Sequence, residues 1–289
     1  MYTLAWFGKK MVKKKLVRKL PIIENKNNNP LNTFSIKSFS KYLVFLLFAF
    51  TTTKSFSQEN TTLLANALSL EKQFKEPEAL DVYKKLADAD AANINYLLKC
   101  TELNCSIGAR QKDAKTKAQY YQAAQAYAQK IYSINANDTR SNYAIALVAG
   151  KMTEIENDNK KLVEYVKQTK SFGDKAINLD INNAKANYIV GKWHYEVLNL
   201  NWAKRIAVKA LYGGLSKGNI DSAFFYMQQC CKLDIYFTPC YLDLAKAYMF
   251  DHQPGKAIEV LTKLVKLPNR VFDDAATKAE GKKLLESLQ

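Results

Sequence analysis

The same short segment ends three stretches of this chain: Ile134-Asn135-Ala136-Asn137-Asp138, Leu179-Asp180-Ile181-Asn182-Asn183 and Leu233-Asp234-Ile235. Ahead of each lies a run built round a small residue, with further apolar or small residues three or four positions on: Ala124, Ala128 and Ile131; Ala176; Ala223, Met227 and Cys230. Ala79, Tyr83 and Leu86 ahead of Ala91 begin the series, and Ala257, Leu261 and Leu264 end it. Residues three, four and seven apart share one face of a helix, so each run reads as an amphipathic helix whose small residue admits a close neighbour. A unit repeated in this way cannot bury its apolar face alone and must stack on the next copy. With 48% apolar residues, only 10 Gly and 6 Pro, the chain is ordered and poor in loops, and no strand-like alternation competes.

Near the C-terminus the unit is complete. Tyr241-x-x-Leu244-Ala245-x-x-Tyr248 is followed by Ala257-x-x-x-Leu261-x-x-Leu264, with Asp251-His252-Gln253-Pro254-Gly255 as the turn and Pro268-Asn269 as the stop. This matches the tetratricopeptide (TPR) pattern of W-x-x-L-G-x-x-Y and then A-x-x-x-F. Stepping from one helix end to the next gives 91, 136, 181, 235 and 269, so the intervals are 45, 45, 54 and 34. Only the last has standard TPR length, and the others need longer helices or loops on one face. The expected fold is all-α: a TPR-like α-solenoid of helical hairpins with insertions over residues 58–289, preceded by a signal sequence.

That signal is read from residues 1–57. They carry eleven Lys and Arg against Glu24 alone, about +10 of the chain's +16, so the remainder is close to balanced. Lys37 and Lys41 precede the apolar run Tyr42-Leu43-Val44-Phe45-Leu46-Leu47-Phe48-Ala49-Phe50, which Thr51, Thr52 and Thr53 end. This is the order of a secretory signal, with Ser55 and Ser57 at a spacing that places the cut after Ser57. The expected location is the periplasm or outside the cell; the alternative is an inner-membrane anchor through residues 42–53. The apolar run is about half of the roughly 20 residues a spanning helix needs. A nucleic-acid partner is not expected, because the basic leader has neither interleaved aromatics nor a recognised motif.

Nothing points to catalysis, a cofactor or a metal. His194 and His252 are the only histidines and are unpaired in sequence, and Cys100, Cys105, Cys230, Cys231 and Cys240 include no Cys-x-x-Cys pair. Several of these cysteines fall where repeat helices want small apolar residues. In an oxidising compartment Cys100 with Cys105, or Cys231 with Cys240, are candidate disulfides.

The 54-residue interval holds the most specific stretch: Val190-Gly191-Lys192-Trp193-His194-Tyr195-Glu196-Val197, then Leu200-Asn201-Trp202-Ala203-Lys204-Arg205-Ile206-Ala207 and Tyr212-Gly213. Over roughly residues 120–265 the chain resembles the regulator of microtubule dynamics family, TPR-like proteins of animals with bacterial relatives. It departs from that family at Gly213-Gly214-Leu215-Ser216-Lys217-Gly218, where a Gly-Glu-Pro-Pro-like turn would be expected. The resemblance implies the architecture. It does not carry over the microtubule partner of the animal members, which an exported bacterial protein would not meet.

In TPR solenoids the first helix of each hairpin builds the inner wall, at positions two, five, nine and twelve. Those positions here are Arg140, Tyr143, Leu147, Lys185, Tyr188, Lys192, Tyr195 and Lys246. An aromatic wall with cationic spots suits a protein or peptide partner, in particular an acidic one. The leading expectation is a non-catalytic scaffold of this kind. The alternative is a lipid-binding module using the aromatic and basic insert 200–214, where Trp202 lies beside Lys204, Arg205 and Lys209.

Overall fold

The computed structural model describes residues 59–200 and 216–289. The expected signal sequence, with the span 42–53 that is its alternative as an anchor, and all of the insert 200–214 except Leu200 lie outside the described residues. Among those residues there are eleven helices and no strand: α1 (59–72), α2 (Glu76–Ala89), α3 (Ile94–Ala109), α4 (Ala114–Ile134), α5 (Thr139–Met152), α6 (Asn159–Leu179), α7 (Ala184–Asn199), α8 (Ile220–Leu233), α9 (Thr238–Phe250), α10 (Pro254–Lys266) and α11 (Asp274–Glu286).

The recurring terminator is a machine for turning the chain. Its Asn or Asp residues bond the nearby backbone: Asn135 Oδ1 accepts from the Asn137 N–H at 3.0 Å, and Asp180 Oδ1 from the Asn182 N–H at 2.9 Å. The last residue of the segment caps the following helix, Asp138 accepting from the Arg140 N–H at 2.8 Å and Asn183 from the Ala186 N–H at 3.0 Å. Six residues past Ala136 and Ile181 stand the buried Asn142 and Asn187, whose amides reach back to the turn carbonyls of Ala136 and Ile181 at 2.9 and 2.8 Å. Six past Ile235 stands Tyr241, whose hydroxyl donates to the Ile235 carbonyl at 3.2 Å. Different side chains thus hold the same turn in successive repeats.

Helix length accounts for the first long interval. Helices α3 and α4 have 16 and 21 residues, whereas α9 and α10 have 13 each, a difference of eleven that equals 45 less 34. The expected insertion is therefore about three extra helical turns. Pro254 and Gly255, expected in a turn, are instead the first two residues of α10; proline's fixed φ and missing N–H suit that position.

Among the described residues the odd-numbered helices touch one another in sequence, α3 with α5, α5 with α7, α7 with α9 and α9 with α11, while α2, α4, α6, α8 and α10 touch only odd-numbered neighbours. A layer whose members are in mutual contact lies at smaller radius than one whose members are splayed, so the odd helices form the inner layer. Between the layers lies the core. Ala79, Leu86, Ala124, Ala128, Ile131, Ala176, Ala223, Met227, Cys230, Ala257, Leu261 and Leu264, all read as apolar-face positions, are fully buried.

All five cysteines are free thiols. Cys100 and Cys105 lie five residues apart on the unbroken α3 and so face different ways, which removes that pair as a disulfide candidate. Cys231 and Cys240 are separate thiols on α8 and α9, and Cys240 Sγ donates to the Met227 carbonyl at 3.2 Å.

Helices α7 and α8 approach closely at Gly191, where an added Cβ would sit 2.8 Å from Met227 Cγ, 3.0 Å from the Met227 nitrogen and 3.1 Å from the Ala223 carbonyl oxygen. Two of these three neighbours are backbone and cannot rotate aside. Gly191→Ala is accordingly expected to lower stability by about 1–2 kcal/mol, the overpacking loss outweighing alanine's better helix propensity. Urea unfolding of the two proteins checks this, and an unchanged midpoint would contradict it.

Candidate partner-binding surface

All eight residues expected on the inner wall fall on inner-layer helices: Arg140, Tyr143 and Leu147 on α5, Lys185, Tyr188, Lys192 and Tyr195 on α7, and Lys246 on α9. Their chemistry differs from the expectation, because the cations are already paired. Lys185 Nζ donates to Glu102 Oε1 at 2.6 Å, and Lys192 Nζ to Asp243 Oδ2 at 2.7 Å and to Glu196 at 3.0 Å. Lys246 meets Glu280 at 2.7 Å, and Arg140 grips Asp138 through two nitrogens while its third reaches Asn95 Oδ1 at 2.7 Å. An acidic ligand would have to displace these carboxylates, so the wall is a mixed-charge surface rather than a row of free cations.

The tyrosines complete the same arrangement. Tyr143 Oη donates to Glu102 at 3.0 Å and Tyr188 Oη to Asp243 at 2.7 Å. Each carboxylate thus gathers a tyrosine and a lysine and ties inner helices together: Glu102 joins α3, α5 and α7, and Asp243, which also has Lys246 at 4.0 Å, joins α7 to α9. The arrangement recurs at the chain's start, where Glu71 accepts from Tyr83 at 2.5 Å and from Lys99 at 2.7 Å. Burial first, and then the adjacent carboxylates, push Tyr143 and Tyr188 well above the ordinary tyrosine pKa, so both remain donors. Burial alone would lower Lys192, but Asp243 and Glu196 outweigh it and hold the ammonium above the ordinary lysine value.

Leu147 is half-buried between α5 and its neighbours, and Tyr195 lies edge-on to Phe250 with centroids 5.9 Å apart. Sequence reasoning missed Glu102 and Asp243. One of them was within reach: stepping back one 45-residue interval from Leu147 lands on Glu102, the same wall position on α3. Asp243 occupies the position that Ile189 fills on α7, one 54-residue interval earlier, and an apolar register gives no signal for a carboxylate.

The stretch 191–196 reaches three other helices. Gly191 admits α8, Lys192 reaches Asp243 on α9, and Trp193 Nε1 donates to the Val166 carbonyl of α6 at 2.9 Å. Tyr195 meets Phe250, and Glu196 returns to Lys192. The six residues therefore act as one junction, which explains why this segment is the most distinctive in the chain. The sequence profile of regulator of microtubule dynamics protein 1-3 matches residues 63–289. The chain belongs to that family. The match extends beyond the 120–265 expected from the motifs and includes α2, α3 and α11.

Regulator of microtubule dynamics protein 1 of Caenorhabditis elegans is 28% identical over 95 residues, which cover 33% of this chain and 42% of the worm protein. Among solved structures, a thermophilic TPR protein of Thermus thermophilus aligns with a TM-score of 0.55 at 13% identity, over 78% of this chain and 99% of that one. That similarity establishes the TPR fold. A Pseudomonas aeruginosa PilF structure aligns at 10% identity and a TM-score of 0.44, over 81% of this chain and 93% of that one.

His194 serves structure. It is buried on α7, with its ring edge-on to Trp193 and parallel to Tyr226, and Nδ1 accepts the N–H of Asn219, the cap of α8, at 3.3 Å. Burial first, then the nearby Lys170, lower its pKa, while Asp174 opposes them. An unfolded histidine takes a proton near pH 6.5. Below that pH the unfolded chain binds a proton that the folded one resists, so the histidine's contribution is intact above about 6.5 and falls as pH drops through the window beneath it. Urea midpoints from pH 7.5 to 5.0 are expected to fall more in the wild type than in His194→Gln; parallel lines would refute the assignment. His252 lies exposed in the turn between α9 and α10.

Among the described residues no three of His, Cys, Asp and Glu gather in a way that could hold a metal, and no helix is long and apolar enough to cross a membrane.

Proposed function

We propose that this protein is a non-catalytic scaffold that binds a protein or peptide along its inner layer, and that it does so in the periplasm after cleavage behind Ser57. The observation that carries the reading is the continuous inner layer from α3 to α11, which presents half-exposed tyrosine, lysine and glutamate side chains from several helices at once. Such a surface recognises length and pattern and offers no nucleophile, base and orienting group in one place. With the lysines already matched, the partner is of mixed charge, exchanging its own acids and bases for those on Lys192, Glu196, Lys246 and Glu280.

Photo-cross-linking in the native cell tests the reading. A photoreactive residue at Leu147 or Tyr195 on the inner layer is expected to give a discrete protein adduct, and one at the exposed Gln129 or Lys263 on outer helices is not. Adducts confined to the outer positions would overturn the inner surface as the site. Mass spectrometry of the mature N-terminus tests the compartment. A start at Gln58 is expected; a retained leader would favour the membrane-anchored form.

A further inference from the structure

Arg110 follows α3, and Asp273 precedes α11; they are 163 residues apart, yet Arg110 Nη1 donates to Asp273 Oδ2 at 2.7 Å. The same guanidinium bonds Glu76, the first residue of α2, and lies 4.4 Å from the centre of the Phe272 ring. The first and last parts of the inner layer therefore meet. No helix-to-helix packing joins α2 or α3 to α9, α10 or α11 among the described residues. The meeting is made by side chains at a surface and not by core.

We infer that the junction of Glu76, Arg110, Phe272 and Asp273 is a latch that closes the inner layer on itself and governs access to its wall. The inference rests on the reading of that wall as the binding surface. The two halves of the junction are unequal. Glu76 is 9% exposed and stays with Arg110 in the first hairpins, while Asp273 is 40% exposed and stands just ahead of the last helix. Separating Asp273 from Arg110 leaves the more buried pair intact and strands no charge out of water. Opening is therefore cheap, in contrast to breaking a pair whose partner stays buried. Phe272, itself 51% exposed, loses only its cover. Because the releasable contact is ionic and near solvent, salt weakens it. With the latch shut, wall lysines and carboxylates answer one another across short distances, as Lys185 of α7 does with Glu102 of α3; with it open, the helices can separate to admit a partner.

The test uses the mature chain carrying Asp273→Asn together with Phe272→Ala, which keeps the Glu76–Arg110 pair. Helix content by circular dichroism is expected to stay constant while small-angle scattering gives a larger radius of gyration. Amide exchange in α11 is expected to quicken about tenfold, the factor associated with one charge-assisted hydrogen bond, with α2 and α3 unchanged. Raising salt to about 1 M should move the wild type towards the variant and leave the variant where it is. Identical scattering and exchange in the two proteins would overturn the latch. So would loss of helix without expansion, which would mean that α11 unravels and does not swing away. The measurement involves no partner, so its failure is separate from a failure of the cross-linking experiment.

Discussion

Asp243→Ala is expected to destabilise the protein by about 3 kcal/mol, the lower end of what removing one member of a buried pair costs. Asp243 sits on α9 with 11% of its side chain exposed and accepts from Tyr188 and Lys192 at 2.7 Å each. Removing the carboxylate leaves a tyrosine hydroxyl without its acceptor and an ammonium that burial disfavours. The loss is held near the lower end because Lys192 is 37% exposed and keeps Glu196 at 3.0 Å. Asp243→Leu combined with Lys192→Met should recover the part of the deficit owed to the stranded ammonium and leave the part owed to the Tyr188 hydroxyl, since replacing both members of a charge pair by apolar groups is nearly neutral where removing one is not. Urea unfolding of the single and double variants checks both statements. A single-variant cost below about 1 kcal/mol would show that the α7–α9 junction rests on its apolar contacts, such as the edge-on pair of Tyr188 and Phe237 at 5.0 Å.

Local physics explains what could be read in advance and what could not. The face of each outer helix was legible because burial of a small residue every few positions is a one-dimensional signal, and Ala79, Ala124, Ala176, Ala223 and Ala257 are all fully buried. The turns were legible because the polar residues that end one helix cap the next. The register placed all eight residues expected on the wall on inner helices, although Tyr143 is buried there. Their partners were not, since a lysine carries no mark of whether a carboxylate 51 or 83 residues away in sequence will reach it, as Asp243 reaches Lys192 and Glu102 reaches Lys185. Reading the lysines alone suggested an acidic ligand; adding their carboxylates changes the surface to one that is largely self-compensated. The contact of Arg110 with Asp273 was the least legible of all. It obeys no repeat spacing and depends on how far the inner layer curves, which is set by side-chain volumes summed over the hairpins from α3 to α10.

Glu102 carries the second large effect, one that depends on pH. Its side chain is 16% exposed and joins three inner helices through Tyr143 at 3.0 Å and Lys185 at 2.6 Å. Burial would raise its pKa, but Lys185, Lys99 and the Tyr143 hydroxyl outweigh burial and hold it below the ordinary glutamate value. A carboxylate with a depressed folded pKa contributes stability that is complete above the unfolded value, about 4.3, and is lost as pH falls from there through the folded value. Glu102→Ala is expected to cost about 3 kcal/mol at pH 7, because Lys185 loses its charge partner and Tyr143, buried on α5, its acceptor. Glu102→Gln should cost less, since an amide oxygen still accepts from Tyr143, and it should lack the acid-dependent part. Urea midpoints measured from pH 7 to pH 3 should therefore show the wild type losing its advantage over Glu102→Gln as pH falls below about 4.3. A gap that stayed constant to pH 3 would mean that the charge on Glu102 is not what holds α3, α5 and α7 together, and that hydrogen bonding and shape suffice to close the inner layer.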